Sequence, residues 1–205
     1  MNDKIALLST TYFGPVQWYQ KLHRYGEVWL EAYDSFIKQT YRNRCVIAAT
    51  HGTQTLTMPV VHDPSSSLTR DVRISDHGNW RHLHWNALRS AYGESPFFEF
   101  YADDLAPFFE RRWEFLVDFN EAIMWKMCEL LDIQPVVRHT ENYGDTGGMA
   151  ADDFRDAIRP KHPLPDPDFT PKPYYQVFAK QHGFLPNLSI LDLLMNMGNE
   201  SILYL

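Results

Sequence analysis

The sequence contains little cysteine, and this scarcity excludes several structural classes. Only two cysteines, Cys45 and Cys128, occur in 205 residues, and they form no CxxC pair. A disulfide framework and a thiolate zinc site both need more cysteines at closer spacing, so we expect neither. Cys45 is expected in a buried strand and Cys128 in a helix, which makes a cysteine amidase or peptidase the lowest-ranked function.

Long apolar runs and an excess of positive charge are also absent. No run approaches the ~20 apolar residues that a membrane span needs, and the apolar N-terminal stretch is too short for a signal peptide. The formal net charge is −7, whereas a general nucleic-acid-binding protein is normally basic. We therefore expect a cytoplasmic protein with no membrane span and no nucleic-acid partner.

Several short motifs of catalysis and cofactor binding are missing as well. The chain has no GxGxxG, no GxxxxGK and no GxSxG, the patterns typical of dinucleotide sites, phosphate loops and α/β-hydrolase serines. His77, His82 and His84 lie close in sequence, but His82 and His84 would project from opposite sides of a helix. Because the i, i+4 spacing of a helical zinc site is absent, we predict no metal site.

Aromatic residues are abundant instead. The order of predicted strands and helices along the chain indicates an α+β fold in one domain, residues 1–205. Aromatics make up 15% of the chain, which indicates a core or cleft built from rings. Residues 1–76 are β-rich: "KIALLST" and "EVWLEAYD" predict strands around a helix at residues 16–23, and "HGTQ" predicts a hairpin turn. "RDVRIS" predicts a further strand. This half, with a mixed sheet and a hairpin, is expected to pack against a helical C-terminal half.

The second half reads as helices followed by an irregular arm. Residues 79–132 are helical: "NWRHLHWNALRSAY" predicts a helix capped by Asn79, and a short and a long helix follow. "VVRHTENY" predicts a strand. Residues 144–173 are rich in Gly, Asp and Pro, which suits either a hinged lid or a static arm. A C-terminal helix is predicted at residues 187–197 with Asn187 as its cap.

The predicted C-terminal helix carries three polar residues among large apolar ones. At ~100° per residue, Ser189, Asp192 and Asn196 fall within about 60° of one another, so they form one narrow polar stripe. We favour the interpretation that the stripe faces an internal polar cleft. The alternative, a helix cap plus one exposed face, stays open.

His84 and a basic cluster are the main candidates for chemistry. His84 is spaced four residues from both Trp80 and Leu88, which places its imidazole on the apolar side of a helix. It is either a hydrogen-bonded core histidine or a general acid or base. The segment "KQTYRNR" groups Lys38, Arg42 and Arg44, which suits a phosphate or carboxylate site or, alternatively, a solvated strand edge.

Several segments together resemble the WbqC-like protein family. "LSTTYFGPVQWYQKL" resembles the family's opening Tyr-Phe-Pro stretch, with Gly14 inserted before Pro15. "DSFIKQTYRNRCVI", "TLTMPV" and "AYGESPFF" resemble the blocks that follow, and "NLSILDLLMNMG" resembles the C-terminal signature. The resemblance covers nearly the whole chain. It marks the following residues: Tyr12, Asp34, Lys38, Asn43, Arg44, Trp80, His84, Tyr92, Pro96, Asn187, Ser189, Asp192 and Gly198.

This resemblance implies a role in bacterial surface-polysaccharide (O-antigen) biosynthesis. The reaction it implies is transfer of an acyl or aminoacyl group to an amino sugar carried on a nucleotide or lipid. The expected catalytic residues are His84 as base, Asp192 as its orienting partner and Ser189 beside them. The expected substrate-binding residues are Tyr12, Lys38, Asn43, Arg44, Trp80 and Asn187.

Two functional classes remain open from the sequence. In the first, the chain is an enzyme with no permanently bound cofactor, an activated acyl or aminoacyl donor as co-substrate and a nucleotide- or lipid-linked sugar as partner. In the second, it is a non-catalytic carbohydrate-binding or scaffold protein of a polysaccharide assembly complex. A homodimer is compatible with either class.

Overall fold

The computed structural model of the chain describes residues 2–61 and 66–205, and its strands form two sheets. The strands are β1 (Asn2–Ser9), β2 (Tyr25–Glu31), β3 (Arg44–Ala49), β4 (Gly52–Thr57), β5 (Val137–His139) and β6 (Ala151–Asp153). Four of them form a parallel sheet in the order β5-β2-β1-β6. Strands β3 and β4 form a separate antiparallel hairpin.

The first helix, α1 (Val16–Arg24), connects β1 to β2 as a parallel crossover. Pro15 precedes it with φ −69°, a backbone angle that suits the start of a helix. Helix α1 buries Trp18, Tyr19 and Leu22. Residues 5–8 of β1 are a continuous apolar run because a central parallel strand is covered on both faces.

The remaining helices form the second half of the structure. They are α2 (Trp80–Tyr92), α3 (Phe98–Leu105), α4 (Pro107–Glu110), α5 (Leu116–Leu130), α6 (Ala179–His182) and α7 (Ile190–Met197), and a 3-10 segment, Gly198–Tyr204, ends the chain. Aromatic rings join the two halves: Phe13, from the loop after β1, stacks on Phe109 with ring centroids 6.1 Å apart. In the described part of the chain, no helix has the length and apolarity needed to cross a membrane.

The structure confirms the α+β class but changes how the sheet is built. The parallel sheet takes two strands from the N-terminal half and two from beyond α5. The predicted strand "RDVRIS" is a 3-10 turn, Thr69–Asp71, followed by single bridges from Arg73 and Ile74. Three helices, α3 to α5, replace the predicted pair, and Asn79 adopts φ 49° without making a cap hydrogen bond.

The segment at residues 144–173 is anchored to the body of the protein. It contributes strand β6 to the sheet, and its Asp166 carboxylate forms a salt bridge with Lys21 Nζ at 2.7 Å and accepts from Gln17 Nε2 at 2.8 Å. Lys21 and Asp166 are almost fully buried. A buried pair of this kind is costly to break, because either charge alone would be stranded in the interior. These contacts hold the segment against the body of the protein, as expected for a static arm.

Candidate functional site

The order of the parallel strands creates a crevice at the carboxyl ends of β1 and β6. From β1, the chain continues through α1 to β2 on one side, whereas β6 lies on the other side of β1. The strand order therefore reverses between β1 and β6. In open α/β sheets, such a switch point at the carboxyl ends of the strands is the usual place for a ligand.

A small cavity, called here the β1–β6 pocket, occupies this switch point. Its volume is about 110 Å³. Three stretches of chain and Trp18 of α1 line it; the stretches are residues 9–11 at the end of β1, residues between 34 and 42, and residues 154–159 after β6. Its polar side chains are mainly hydroxyls and guanidinium groups, which include Thr10, Thr40, Arg42, Arg155 and Arg159.

Arg42 is the most deeply held cation of the pocket. Its side chain is 6% exposed and pairs with the Asp34 carboxylate. It also donates to Ser9 Oγ at 2.9 Å and to Thr40 Oγ1 at 3.3 Å. Among the described residues, Arg42 Nε has no hydrogen-bond partner. The guanidinium is thus fixed in position while part of its donor capacity remains unused.

Arg155 approaches the pocket from the β6 side and is held by two carboxylates. It donates to Glu31 Oε2 at 3.1 Å and to Asp153 Oδ2 at 2.7 Å. Glu31 is fully buried and also accepts from Thr140 Oγ1 and from the Gly144 backbone N–H. The end of β2 therefore sets the position of an arginine that follows β6.

His84 lies beside this region, inside the aromatic core. Its side chain is buried, and Nδ1 is 2.9 Å from the Tyr12 hydroxyl. Its ring centroid is 5.2 Å from that of Trp80. Burial lowers the pKa of His84 to about 4, and a hydrogen bond with the Thr57 backbone opposes this shift only in part. The imidazole is therefore neutral near pH 7.

The polar stripe of α7 faces the protein interior, and its groups are bonded to other parts of the chain. Ser189 caps α7 by accepting from the Leu191 backbone N–H, and its hydroxyl donates to the Phe13 carbonyl at 2.8 Å. Asp192 Oδ2 accepts from the Tyr174 hydroxyl at 2.7 Å and from Gln176 Nε2 at 2.8 Å. Burial raises the pKa of the Asp192 carboxyl above its ordinary value.

The structure places the predicted catalytic residues in separate surroundings. Within residues 2–61 and 66–205, no hydrogen bond joins His84 to Asp192. Neither residue lines the β1–β6 pocket, and neither does Ser189. The catalytic roles of His84, Asp192 and Ser189 stay predictions.

The predicted substrate-binding residues are likewise divided. Tyr12 and Trp80 are buried next to His84. Asn43 is buried and donates to the Met58 carbonyl at 2.8 Å, and Asn187 accepts from the Gln17 backbone N–H of α1 at 2.9 Å. Asn187 thus satisfies the first turn of α1, and the prediction that it caps α7 is wrong, because Ser189 is the cap of that helix.

Of the predicted basic cluster, one member reaches the pocket. Arg42 lines it, whereas Lys38 is exposed and Arg44, the first residue of β3, is half-buried outside it. Sequence reasoning missed Arg155, Arg159 and Glu31. The two arginines are spaced by four in an acidic segment, a signal that the interpretation of residues 144–173 as an irregular arm left unused.

The two cysteines, Cys45 and Cys128, are both buried. Burial raises the pKa of the Cys45 thiol and raises that of Cys128 to about 12, so both thiols are protonated at neutral pH and poor nucleophiles. In the part of the chain that the structure covers, no three His, Cys, Asp or Glu residues are grouped to hold a metal ion.

Comparison with known proteins gives one family and one relative. The model of the WbqC-like protein family matches residues 10–156. The matched region includes all three stretches that line the β1–β6 pocket except Ser9 and the last residues of the third, and it excludes α7. The chain is 26% identical over 230 residues to the "Uncharacterized protein Rv1507c" of Mycobacterium tuberculosis, which covers 98% of this chain and 97% of the relative. No solved structure matches.

Proposed function

Because the chain belongs to the WbqC-like protein family, we propose that it is a cytoplasmic transferase of bacterial surface-polysaccharide (O-antigen) biosynthesis. Its acceptor would be an amino sugar linked to a nucleotide or lipid carrier. Its donor would be an activated acyl or aminoacyl group. The acceptor would bind at the carboxyl edge of the parallel sheet, over the β1–β6 pocket.

The observation that supports this proposal most is the position and chemistry of the pocket. It lies at the switch point of the sheet, where ligand sites of open α/β folds recur. Its hydroxyl and guanidinium groups suit a polar, anionic ligand such as a carrier-linked sugar. The family match includes both sides of the pocket, Thr10 and Thr11 on one and Phe154 on the other.

The proposed reaction forms one amide bond and breaks one activated acyl bond. The amino nitrogen of the sugar attacks the carbonyl carbon of a thioester or aminoacyl ester. The bond from that carbon to the sulfur or oxygen leaving group then breaks. The proton lost by the amine passes to a base and from there to the leaving group, so no oxidant or reductant is needed.

His84 is the base that the sequence predicts, and because it is buried and does not line the β1–β6 pocket, its role needs a direct test. A base with a pKa of about 4 would produce an acidic limb near pH 4 in the profile of kcat/KM. A histidine that only positions Tyr12 would leave measurable turnover in His84→Gln, because glutamine can still hydrogen-bond to the Tyr12 hydroxyl. The profile of His84→Gln, compared with the wild type, separates the two roles.

The function is tested by incubating the protein with nucleotide-linked amino sugars and a panel of acyl thioesters and aminoacyl donors. The expected result is a sugar product heavier by one acyl group, detected by mass spectrometry. The same sugars with an already acetylated nitrogen are the matched control, because they lack the attacking amine. Sugar binding without amide formation across the panel would replace this proposal with the carbohydrate-binding alternative.

A further inference from the structure

We infer that the β1–β6 pocket is a phosphate site, which holds one phosphoryl group between Arg42 and Arg155. The inference concerns the proposed substrate site, but it depends on the proposed function only for the molecule that carries the phosphate. It differs from the site predicted from sequence, in which Lys38 and Arg44 accompany Arg42.

The size of the pocket restricts what can enter it. Pockets that enclose drug-sized ligands measure roughly 300–1,000 Å³, whereas this one measures about 110 Å³. A sugar ring or a nucleoside would therefore remain outside, and only a compact group would be enclosed. A phosphoryl group is compact and joins larger parts through its ester oxygens.

Arg42 supplies the first set of donors. A guanidinium has five N–H donors, and three of those on Arg42 are used by Asp34, Ser9 and Thr40. Its Nε has no partner in the described residues, although the atom is buried. A buried donor without an acceptor is unfavourable. An anion in the adjoining cavity would satisfy it.

Arg155 supplies donors from the opposite side. Its guanidinium is held by Glu31 and Asp153 and lies 4.6 Å from the centre of the Tyr143 ring. Arg159 lines the pocket four residues further along the chain and pairs with Asp156 at 3.1 Å. The pocket therefore contains three guanidinium groups, each oriented by a carboxylate.

These carboxylates also decide which anion fits best. The three guanidinium groups are held by four carboxylates, those of Asp34, Glu31, Asp153 and Asp156, so the local net charge does not attract an anion and binding depends on directed hydrogen bonds. A phosphoryl group has three free acceptor oxygens and can accept from both walls and from a threonine hydroxyl at once. A carboxylate has two oxygens in one plane and cannot span the walls in this way.

Glu31 is a positioning residue in this arrangement. It does not line the pocket, yet it is fully buried and bonds to Arg155, to Thr140 and to the Gly144 backbone. Glu31→Gln should weaken phosphate binding through Arg155. The loss should vanish when Arg155 is already replaced, because the effects of two residues that act as a unit are not additive.

The test measures binding of inorganic phosphate and of UDP by isothermal titration calorimetry, with uridine as the control ligand. Arg155→Gln is expected to weaken phosphate and UDP binding at least tenfold. Arg73→Gln removes an exposed arginine outside the pocket and should change the affinity less than twofold. Because Arg42→Gln alone strands Asp34, the pair Arg42→Gln/Asp34→Asn replaces the buried ion pair by two neutral groups and should also abolish binding.

Glu31→Gln is measured in the wild-type and Arg155→Gln backgrounds, with the melting temperature recorded for each. A loss confined to the wild-type background supports positioning, and an equal loss in both contradicts it. Equal affinity of the wild type, Arg155→Gln and Arg73→Gln for phosphate would overturn the site itself. Phosphate binding that depends on Arg155 would stand even if the panel of donors gave no amide, so the failure of either proposal is recognised separately.

Discussion

The β1–β6 pocket and the polar stripe of α7 both place a carboxylate in the interior, but they satisfy it differently. At the pocket, Asp34 pairs with the charged Arg42, and an unfilled volume adjoins the pair. On α7, Asp192 is bonded by the neutral Tyr174 and Gln176, and in the described chain no lysine or arginine pairs with it. The first region retains donors for a ligand, whereas on α7 the bonded oxygen Oδ2 joins the helix to the arm and Oδ1 has no partner in the described chain.

This difference shows why buried polar residues alone do not identify a site. Ser189, Asp192 and Asn196 are all buried, as the preferred interpretation of the stripe requires. Their partners nevertheless come from the protein itself: the Phe13 carbonyl, Tyr174, Gln176 and the Asp192 carbonyl. Asp192 Oδ1 and Asn196 Oδ1 are also buried without partners in the described residues, so the pocket differs in offering unused donors, which suit an anion, at the switch point of the sheet.

The largest expected effect is the loss of stability when the buried carboxylate of Asp34 is removed from the pocket. Asp34→Ala should lower the free energy of unfolding by about 3–5 kcal/mol, because it leaves the Arg42 guanidinium buried without its counter-charge. Urea denaturation at pH 7 measures the change. Asp71→Ala, which removes an exposed carboxylate paired with Arg70, is the control and should cost less than about 1 kcal/mol.

A somewhat smaller effect should follow the titration of His84. Its pKa is about 4 in the folded protein and about 6.5 when unfolded. The unfolded chain therefore binds the proton more readily, and stability is lost as pH falls from about 6.5 to about 4, by about 3 kcal/mol in total. His84→Gln should remove this part of the pH dependence, measured as the urea midpoint at each pH.

The exposed His82 on the same helix provides the control for that experiment. His82→Gln should keep the pH dependence of the wild type. If His84→Gln and the wild type lose stability equally between pH 6.5 and 4, the buried neutral imidazole is not the cause.

On α7, we expect the stability of the protein to depend on the acceptor oxygen of Asp192 more than on its negative charge. Asp192→Ala should cost about 2 kcal/mol or more, because the Tyr174 hydroxyl and Gln176 amide lose their common acceptor. Asp192→Asn keeps an acceptor oxygen and removes a buried charge, so its cost should be less than about 1 kcal/mol. Equal costs, measured by urea denaturation, would mean that the charge itself is needed there.

The smallest effect is expected at the start of α7. Ser189→Ala removes the cap of the helix and should cost about 1 kcal/mol. Phosphate affinity, measured by calorimetry, should stay within twofold of the wild type, because Ser189 does not line the pocket. A tenfold loss of phosphate affinity would instead mean that α7 and the β1–β6 pocket belong to one site.

The parts of the fold that were predictable are those with strong local patterns. The β1–α1–β2 unit follows from two apolar runs separated by Gly14-Pro15, and α2 follows from its helical stripe. Strand β6 was not recognisable, because it is three residues long and two of them are acidic. It is a strand because β1 offers a free edge, which is a tertiary cause.

Only the side of the β1–β6 pocket that contains Arg42 could be predicted from the sequence. Arg42 stands out as part of a basic cluster in an acidic protein, but Arg155 acquires meaning only when β6 pairs with β1. The cap of α7 was assigned two residues too early for a similar reason. Asn187 is used by α1, a helix far away in sequence, and no local pattern records that contact.

The pairing of Ile5 with Ala151 also has a consequence for how the protein is made. The two strands are neighbours in the sheet, yet most of the chain is synthesised between them. Contacts between such distant segments carry a high loop-closure cost and form slowly. On the ribosome, a nascent chain that has not yet reached Ala151 lacks the second wall of the crevice. Ligand-assisted folding would therefore begin only after the last quarter of the protein has started to emerge.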